Sequence, residues 1–173
     1  MKIPKYVTDY IERYKSGNVI FNKERVRLVS FLEDNILQRD DLYFDNEKIE
    51  DYIKFSEKWF FKLQDFQKFI SCFVFLYEKD TKTPYFSEFF ISMARGGGKN
   101  GYISTLAAFF MTPLHGIPKY NMSVVANSEK QALVSFREIY EMIESNNLYI
   151  TGERPNNPFY LSKVYVEGTD TKS

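Results

Sequence analysis

The stretch "ISMARGGGKN", residues 91–100, decides the fold. Three consecutive glycines stand between Arg95 and Lys99, straight after the apolar run Phe89-Phe90-Ile91. Either bare backbone wraps a ligand here, or the glycines are a hinge between a strand and a helix. A phosphate group needs N–H donors converging from several residues with no Cβ in the way. It also gains from the positive end of a helix dipole. A strand that delivers "RGGGK" to a helix start meets both needs, and Lys99 can then reach the β- and γ-phosphates. The full signature of such loops is G-x-x-x-x-G-K-[ST]. Aligned on Gly98-Lys99, it finds Met93 at its first glycine and Asn100 at its hydroxyl.

The first departure is tolerable, because Gly96 and Gly97 supply the bare backbone inside the loop. The second matters more, since that hydroxyl ordinarily ligates Mg²⁺; an amide oxygen is also a hard ligand and can take the place. Arg95 favours the phosphate reading. A guanidinium in a loop seeks an anion, and an arginine supplied in cis can neutralise charge developing on a γ-phosphate. The bland reading of Arg95 is a solvated or ion-paired side chain.

Outward from the loop, "FSEFFISMA" (86–94) is aromatic and β-prone and reads as a buried strand. "GYISTLAAFFM" (101–111) reads as a buried helix, and "NMSVVANS" (121–128) as a second strand. Ser128 and Gln131 then open a helix with a capping box, whose core face is Ala132, Leu133, Phe136, Ile139, Tyr140 and Ile143. After the turn-rich residues 147–163, "VYVEG" (164–168) reads as a third strand. Strand, loop, helix, strand, helix is the order of a parallel α/β sheet.

Upstream, the pattern is helical. Pro4 and Gly17 bracket a helix with Tyr6, Val7, Tyr10, Ile11 and Tyr14 on one face. Asn22 caps a second, in which Val26, Val29, Leu32 and Ile36 recur. Ile49, Tyr52, Ile53, Ser56, Phe60 and Leu63 mark a third, and Phe66, Phe69, Ile70, Phe73 and Tyr77 a fourth. The expected organisation is therefore a helical subdomain over 1–80, followed by the start of an α/β domain over 81–173.

Lys plus Arg equal Asp plus Glu at 23 each, so no global field draws in nucleic acid. With one cysteine, Cys72, and one histidine, His115, disulfides, zinc sites and Cys–His nucleophile pairs are excluded by counting. Cys72 lies in "FISCFVFLY" and reads as a buried small hydrophobe, and His115 in "TPLHGIPK" as part of a turn. No signal-peptide pattern or membrane-length apolar run occurs, which makes the cytosol the default.

Four segments together carry a family resemblance. "LYFDNEKIEDYIKFSEKWF" resembles a "YFD" turn leading into an amphipathic helix. "KLQDFQKFI" resembles an L-x-x-aromatic-Gln adenine motif, and "ISMARGGGKN" a deviant Walker A loop with an arginine three residues before Gly-Lys. "MSVVANSEKQALVSFREIYEMI" resembles the strand and Q-A-containing helix that follow. In this order and spacing the chain resembles the large (ATPase) subunit of tailed-bacteriophage terminases, the motor that packages viral DNA.

That resemblance implies an α/β P-loop NTPase of the RecA-like (ASCE) kind, its parallel sheet incomplete at the C-terminus. It implies ATP and Mg²⁺ as ligands. Gln67 would read the adenine edge with Phe66 against the ring. Gly96, Gly97, Gly98 and Lys99 would hold the phosphates, Arg95 would be the cis arginine finger, and Asn100 would face the metal. Read from the residues alone, Gln67 is more simply a helix-surface side chain. Ala126-Asn127-Ser128 is either a coupling turn or a plain N-cap.

The implied partners are the small terminase subunit, the portal and double-stranded DNA, in a ring of subunits formed on assembly, with no membrane. The implied place is the cytoplasm of a bacterial host, as a phage or prophage protein. No apolar strand ending in Asp-Glu follows the loop, and Glu167 and Asp170 do not fit a Walker B. The chain thus reads as the N-terminal part of a longer ATPase and nuclease, excised or truncated, with little or no turnover of its own.

Two other readings stay open. One is a different P-loop DNA motor, a helicase or restriction translocase, although those keep Gly at the Met93 position and Ser or Thr at Asn100. The other is a non-enzymatic helical module that docks the small subunit or portal through Tyr6, Tyr10, Tyr14, Phe44 and Trp59.

Overall fold

A computed structural model describes residues 1–118 and 120–146. The chain divides into two compact units, Met1–Ile53 with Leu63–Ser92, and Lys54–Lys62 with Met93–Ser173.

The first unit holds α1 (Lys5–Lys15), α2 (Lys23–Asn35), β1 (Leu42–Phe44), the first part of α3 (Asn46–Trp59), α4 (Asp65–Val74) and β2 (Leu76–Glu78). Local signals set the helix ends. Pro4 precedes α1, and Gly17 follows it at a φ of 77°. The Asn22 side chain accepts from the Arg25 N–H at 2.9 Å, capping α2. α1 packs on α4, and its seam is aromatic. Tyr10 stacks on Phe69 with centroids 4.4 Å apart, Phe69 meets Phe73 edge-on at 5.1 Å, and Phe73 meets Phe44 at 5.6 Å. Val29, Leu32, Ile36, Ile49, Tyr52 and Ile53 complete the buried core, as their three-to-four spacing predicts.

β1 and β2 pair antiparallel, with Tyr43 opposite Tyr77. The chain then turns back so that the Tyr85 N–H donates to the Leu76 carbonyl at 2.8 Å. This small sheet departs from the sequence pattern, which reads "LYF" as a turn into α3 and Tyr77 as the end of the fourth helix.

The second unit holds the end of α3, the glycine loop, α5 (Lys99–Phe110), a single 3-10 turn at Pro113–His115, and α6 (Glu129–Ser145). α5 is buried over much of its circumference through Tyr102, Ser104, Thr105, Ala107, Ala108 and Phe109. Its buried hydroxyls are satisfied within the helix, Ser104 Oγ donating to Asn100 O at 3.0 Å and Thr105 Oγ1 to Tyr102 O at 2.8 Å. α6 packs on α5 and is opened by Ser128, whose side chain accepts from the Gln131 N–H. It buries Ser135, Met142 and Ile143, whereas Phe136, expected in the core face, is exposed.

The expected parallel α/β sheet of a P-loop NTPase is not formed: the described residues are mostly helical, and their one sheet is the two-stranded antiparallel β1-β2. Neither 86–94 nor 121–128 enters a ladder. A strand of a parallel sheet is buried on both faces, yet Phe90 is 96% and Val125 93% exposed. β-propensity reports side chains that fit a pleated, half-buried surface; it supplies no neighbour to pair with. The third expected strand, 164–168, and the acids Glu167 and Asp170 lie outside the described residues. Among those described, no helix is long and apolar enough to cross a membrane.

Two outcomes follow from this packing. Phe69→Ala removes the ring at the centre of the α1–α4 seam and should lower unfolding stability by about 3–5 kcal/mol in urea titration; a loss below about 1 kcal/mol contradicts the seam. Burial pushes the Cys72 thiol up to about 12 from 9.0. The neutral thiol is thus the form the fold favours, and its contribution is intact below the unfolded value of 9.0 and lost as pH rises towards 12. At pH 8 a thiol reagent should label Cys72 only after denaturant is added.

Candidate functional site

Each of the three loop glycines is required for a physical reason. Gly96 and Gly98 have left-handed φ values of 82° and 79°, a region that costs an L-residue about 1–2 kcal/mol. Gly97 is crowded instead: a Cβ there would lie 3.0 Å from the Ala94 carbonyl oxygen and 3.2 Å from Met93 Cβ. The Gly97 N–H donates to that same Ala94 carbonyl at 3.0 Å, closing a tight turn.

Gly98 is the N-cap of α5, and Lys99 is the helix's first residue. The ladder of α5 begins with the Tyr102 N–H donating to Gly98 O at 3.0 Å. The N–H groups of Lys99, Asn100 and Gly101 therefore lie outside it, as in the first turn of any helix. A left-handed residue followed by helical ones turns successive N–H groups to one side, the geometry of an anion-binding nest. The helix, 12 residues long, adds its dipole.

Around these donors, Arg95, Lys99 and Asn100 are exposed. Among the described residues neither Arg95 nor Lys99 forms an ion pair. Two cationic residues thus border the three backbone donors in the chain, and among the described residues no acidic group is paired with either. The arrangement can hold an anion with several oxygens. For Mg²⁺ the fit is narrower. Asn100 offers one neutral amide oxygen, and among the described residues no group of three or more His, Cys, Asp and Glu comes together. That suits a cation carried in by a polyphosphate, which retains water and phosphate ligands, and does not make a metal site by itself.

Gln67 and Phe66 sit on α4, in the first unit. Gln67 is only 2% exposed, and its Oε1 accepts from the Gln64 N–H at 2.8 Å as one half of a capping box that opens α4. Its backbone carbonyl takes the Ser71 hydroxyl at 2.7 Å. The pair Gln64-x-x-Gln67 is a readable local signal for this role. Phe66 is half-buried. Of the aromatics considered for docking, Tyr14 stacks on Phe21 at 4.5 Å, Tyr10 on Phe69, and Phe44 is buried. Ser128 is the N-cap of α6.

One neighbour of the loop leaves no trace in the sequence pattern. Gly101, in the first turn of α5, lies against the tip of the Phe61 ring: a Cβ there would come within 3.0 Å of Phe61 Cε1 and 3.3 Å of Cζ. No spacing rule links positions 61 and 101, so only the folded chain reveals the contact.

The loop geometry makes a separate, ligand-free prediction. Gly96→Ala and Gly98→Ala should each lower stability by about 1–2 kcal/mol. Lys130→Ala, at an exposed position in the first turn of α6, is the control and should stay within about 0.5 kcal/mol of wild type. Thermal unfolding with both glycine variants unchanged from wild type contradicts the left-handed assignment. Comparison with protein-family models, curated proteins and solved structures yields no match, so the chemistry of these residues has to carry the functional reading.

Proposed function

We propose that this chain is the ATP-binding N-terminal part of a terminase large subunit, which at full length hydrolyses ATP to drive viral DNA into a procapsid and then cuts it. The observation that carries the reading is the loop itself. Gly96 and Gly98 are left-handed, a Cβ on Gly97 would sit only 3.0 Å from the Ala94 carbonyl oxygen, and Lys99 opens a helix of 12 residues directly behind them. The reading rests on this loop and its flanking cations, not on a parallel sheet.

In it, the first-turn N–H groups of α5 hold phosphate oxygens. Lys99 supplies a flexible point charge for the β- and γ-phosphates, and Arg95 supplies a planar donor set for charge that grows at the γ-phosphate during transfer. Asn100 gives one oxygen to the Mg²⁺ that accompanies ATP. None of these groups can take a proton from water at neutral pH. The chain should accordingly bind nucleotide and turn it over very slowly. Small subunit, portal and double-stranded DNA are the partners of the whole motor, working as a ring in the cytoplasm of an infected or lysogenic bacterium.

Calorimetric titration with ATP and Mg²⁺ tests the binding. Wild type should bind, and Lys99→Ala should weaken binding by about 10- to 100-fold, the worth of charge-assisted hydrogen bonds to phosphate. Equal affinity in the two proteins removes the phosphate-loop reading. A brisk ATPase rate that depends on Lys99 would instead mean that a water-activating carboxylate is present after all.

A further inference from the structure

Resting on the phosphate-loop reading above, we propose that Phe61 is the surface against which the base or ribose of the nucleotide lies, so that the site takes a nucleoside polyphosphate in preference to an inorganic one. The ring belongs to the corner that follows α3, within the same compact unit as the loop and α5. Three observations carry the idea.

The ring stands beside the donors. Gly101 contributes the last N–H outside the α5 ladder, and a Cβ on it would meet Phe61 Cε1 at 3.0 Å. An anion seated on the amides of residues 99–101 therefore has an aromatic ring within a side chain's length of its next covalent group. Phosphate alone makes no use of such a ring, whereas a nucleoside has a flat face to lay on it.

The corner that carries the ring is also held in place. Ser56 is fully buried, 0% exposed, and its hydroxyl donates to the Phe61 carbonyl at 3.0 Å. The Phe60 N–H donates back to the Ser56 carbonyl at 2.9 Å. One turn earlier, Phe55 packs edge-on to Phe109 of α5 at 5.6 Å, tying the corner to the helix. A corner whose backbone is fixed before the ligand arrives loses less entropy on binding.

Finally, the ring is left open: Phe61 remains 36% exposed, although Phe60 beside it packs against Phe55. Lys58 and Lys62 flank it in sequence, so the corner alternates aromatic and cationic groups, the pattern that suits a base joined to phosphates. Gln67, the residue the sequence offers for reading the base, has its Oε1 engaged at the start of α4. A Cβ at position 101 would push on the tip of the Phe61 ring, so this one residue links the proposed base surface to the phosphate donors.

The test compares ATP with inorganic tripolyphosphate, each with Mg²⁺, on wild type, Phe61→Ala, Phe61→Leu, Phe61→Trp and Lys99→Ala, with circular dichroism confirming each fold. Phe61→Ala and Phe61→Leu should weaken ATP by about 10-fold or more while leaving tripolyphosphate within about twofold. Phe61→Trp should keep the preference for ATP. Leu fills the space over Gly101 without an aromatic face, so it separates packing from stacking. If Phe61→Leu binds ATP like wild type, or if both ligands weaken together in every variant, the base-surface proposal is overturned while the phosphate loop stands. If wild type binds neither ligand, or Lys99→Ala binds both as well as wild type, both readings fall.

Discussion

Between Arg95 and Lys99 the backbone follows a course that favours glycine at each of three positions. Two residues are left-handed, and a Cβ on the one between them would lie only 3.0 Å from the Ala94 carbonyl oxygen. A third constraint lies one turn further on, where Gly101 admits the Phe61 ring. The proposed site depends on this course: it brings the chain into α5 with three N–H groups outside the helix ladder and Lys99 as the first helical residue. A hinge needs freedom at its glycines but has no use for crowding at Gly97, or for a helix that begins directly on the last of them. The combination is what distinguishes a formed loop from a merely flexible one.

The helices were legible because their signals are local. Pro4, Gly17 and Asn22 act on the backbone within a turn of where they stand, and the three-to-four spacing of Val29, Leu32 and Ile36 describes a single helix face. The expected parallel sheet is not formed among the described residues, for the opposite reason. A strand exists only with a partner, and the aromatic and β-branched content of 86–94 and 121–128 says what such a strand would look like, not that a neighbour is there. The same limit hid β1 and β2. At three residues each they are too short for any periodicity to show, and their pairing spans 42 to 78 in sequence.

The candidate site divides along the same line. The glycine loop and the helix behind it are readable because their residues are contiguous, and α5 begins at Lys99. Gln67 illustrates how one residue type serves two roles: the amide suited to a base edge is equally suited to reciprocal capping, and Gln64 three residues earlier was the signal for the latter. Phe61 was invisible because its partner lies far along the chain, at position 101, and the contact is between a ring and an absent side chain. Glycine in a first helical turn is costly for the helix itself, and such a cost in a sequence is a reason to look for what approaches that bare backbone.

Backbone-amide NMR during titration with ATP and Mg²⁺ tests the central claim most directly, because it reads the loop donors one by one. Bound phosphate should move the amide resonances of Gly98, Lys99, Asn100 and Gly101 downfield together, saturating at one nucleotide per chain, with α1 and α2 unchanged. Shifts confined to other parts of the chain, or a glycine loop whose amides stay in place at saturating nucleotide, would contradict it.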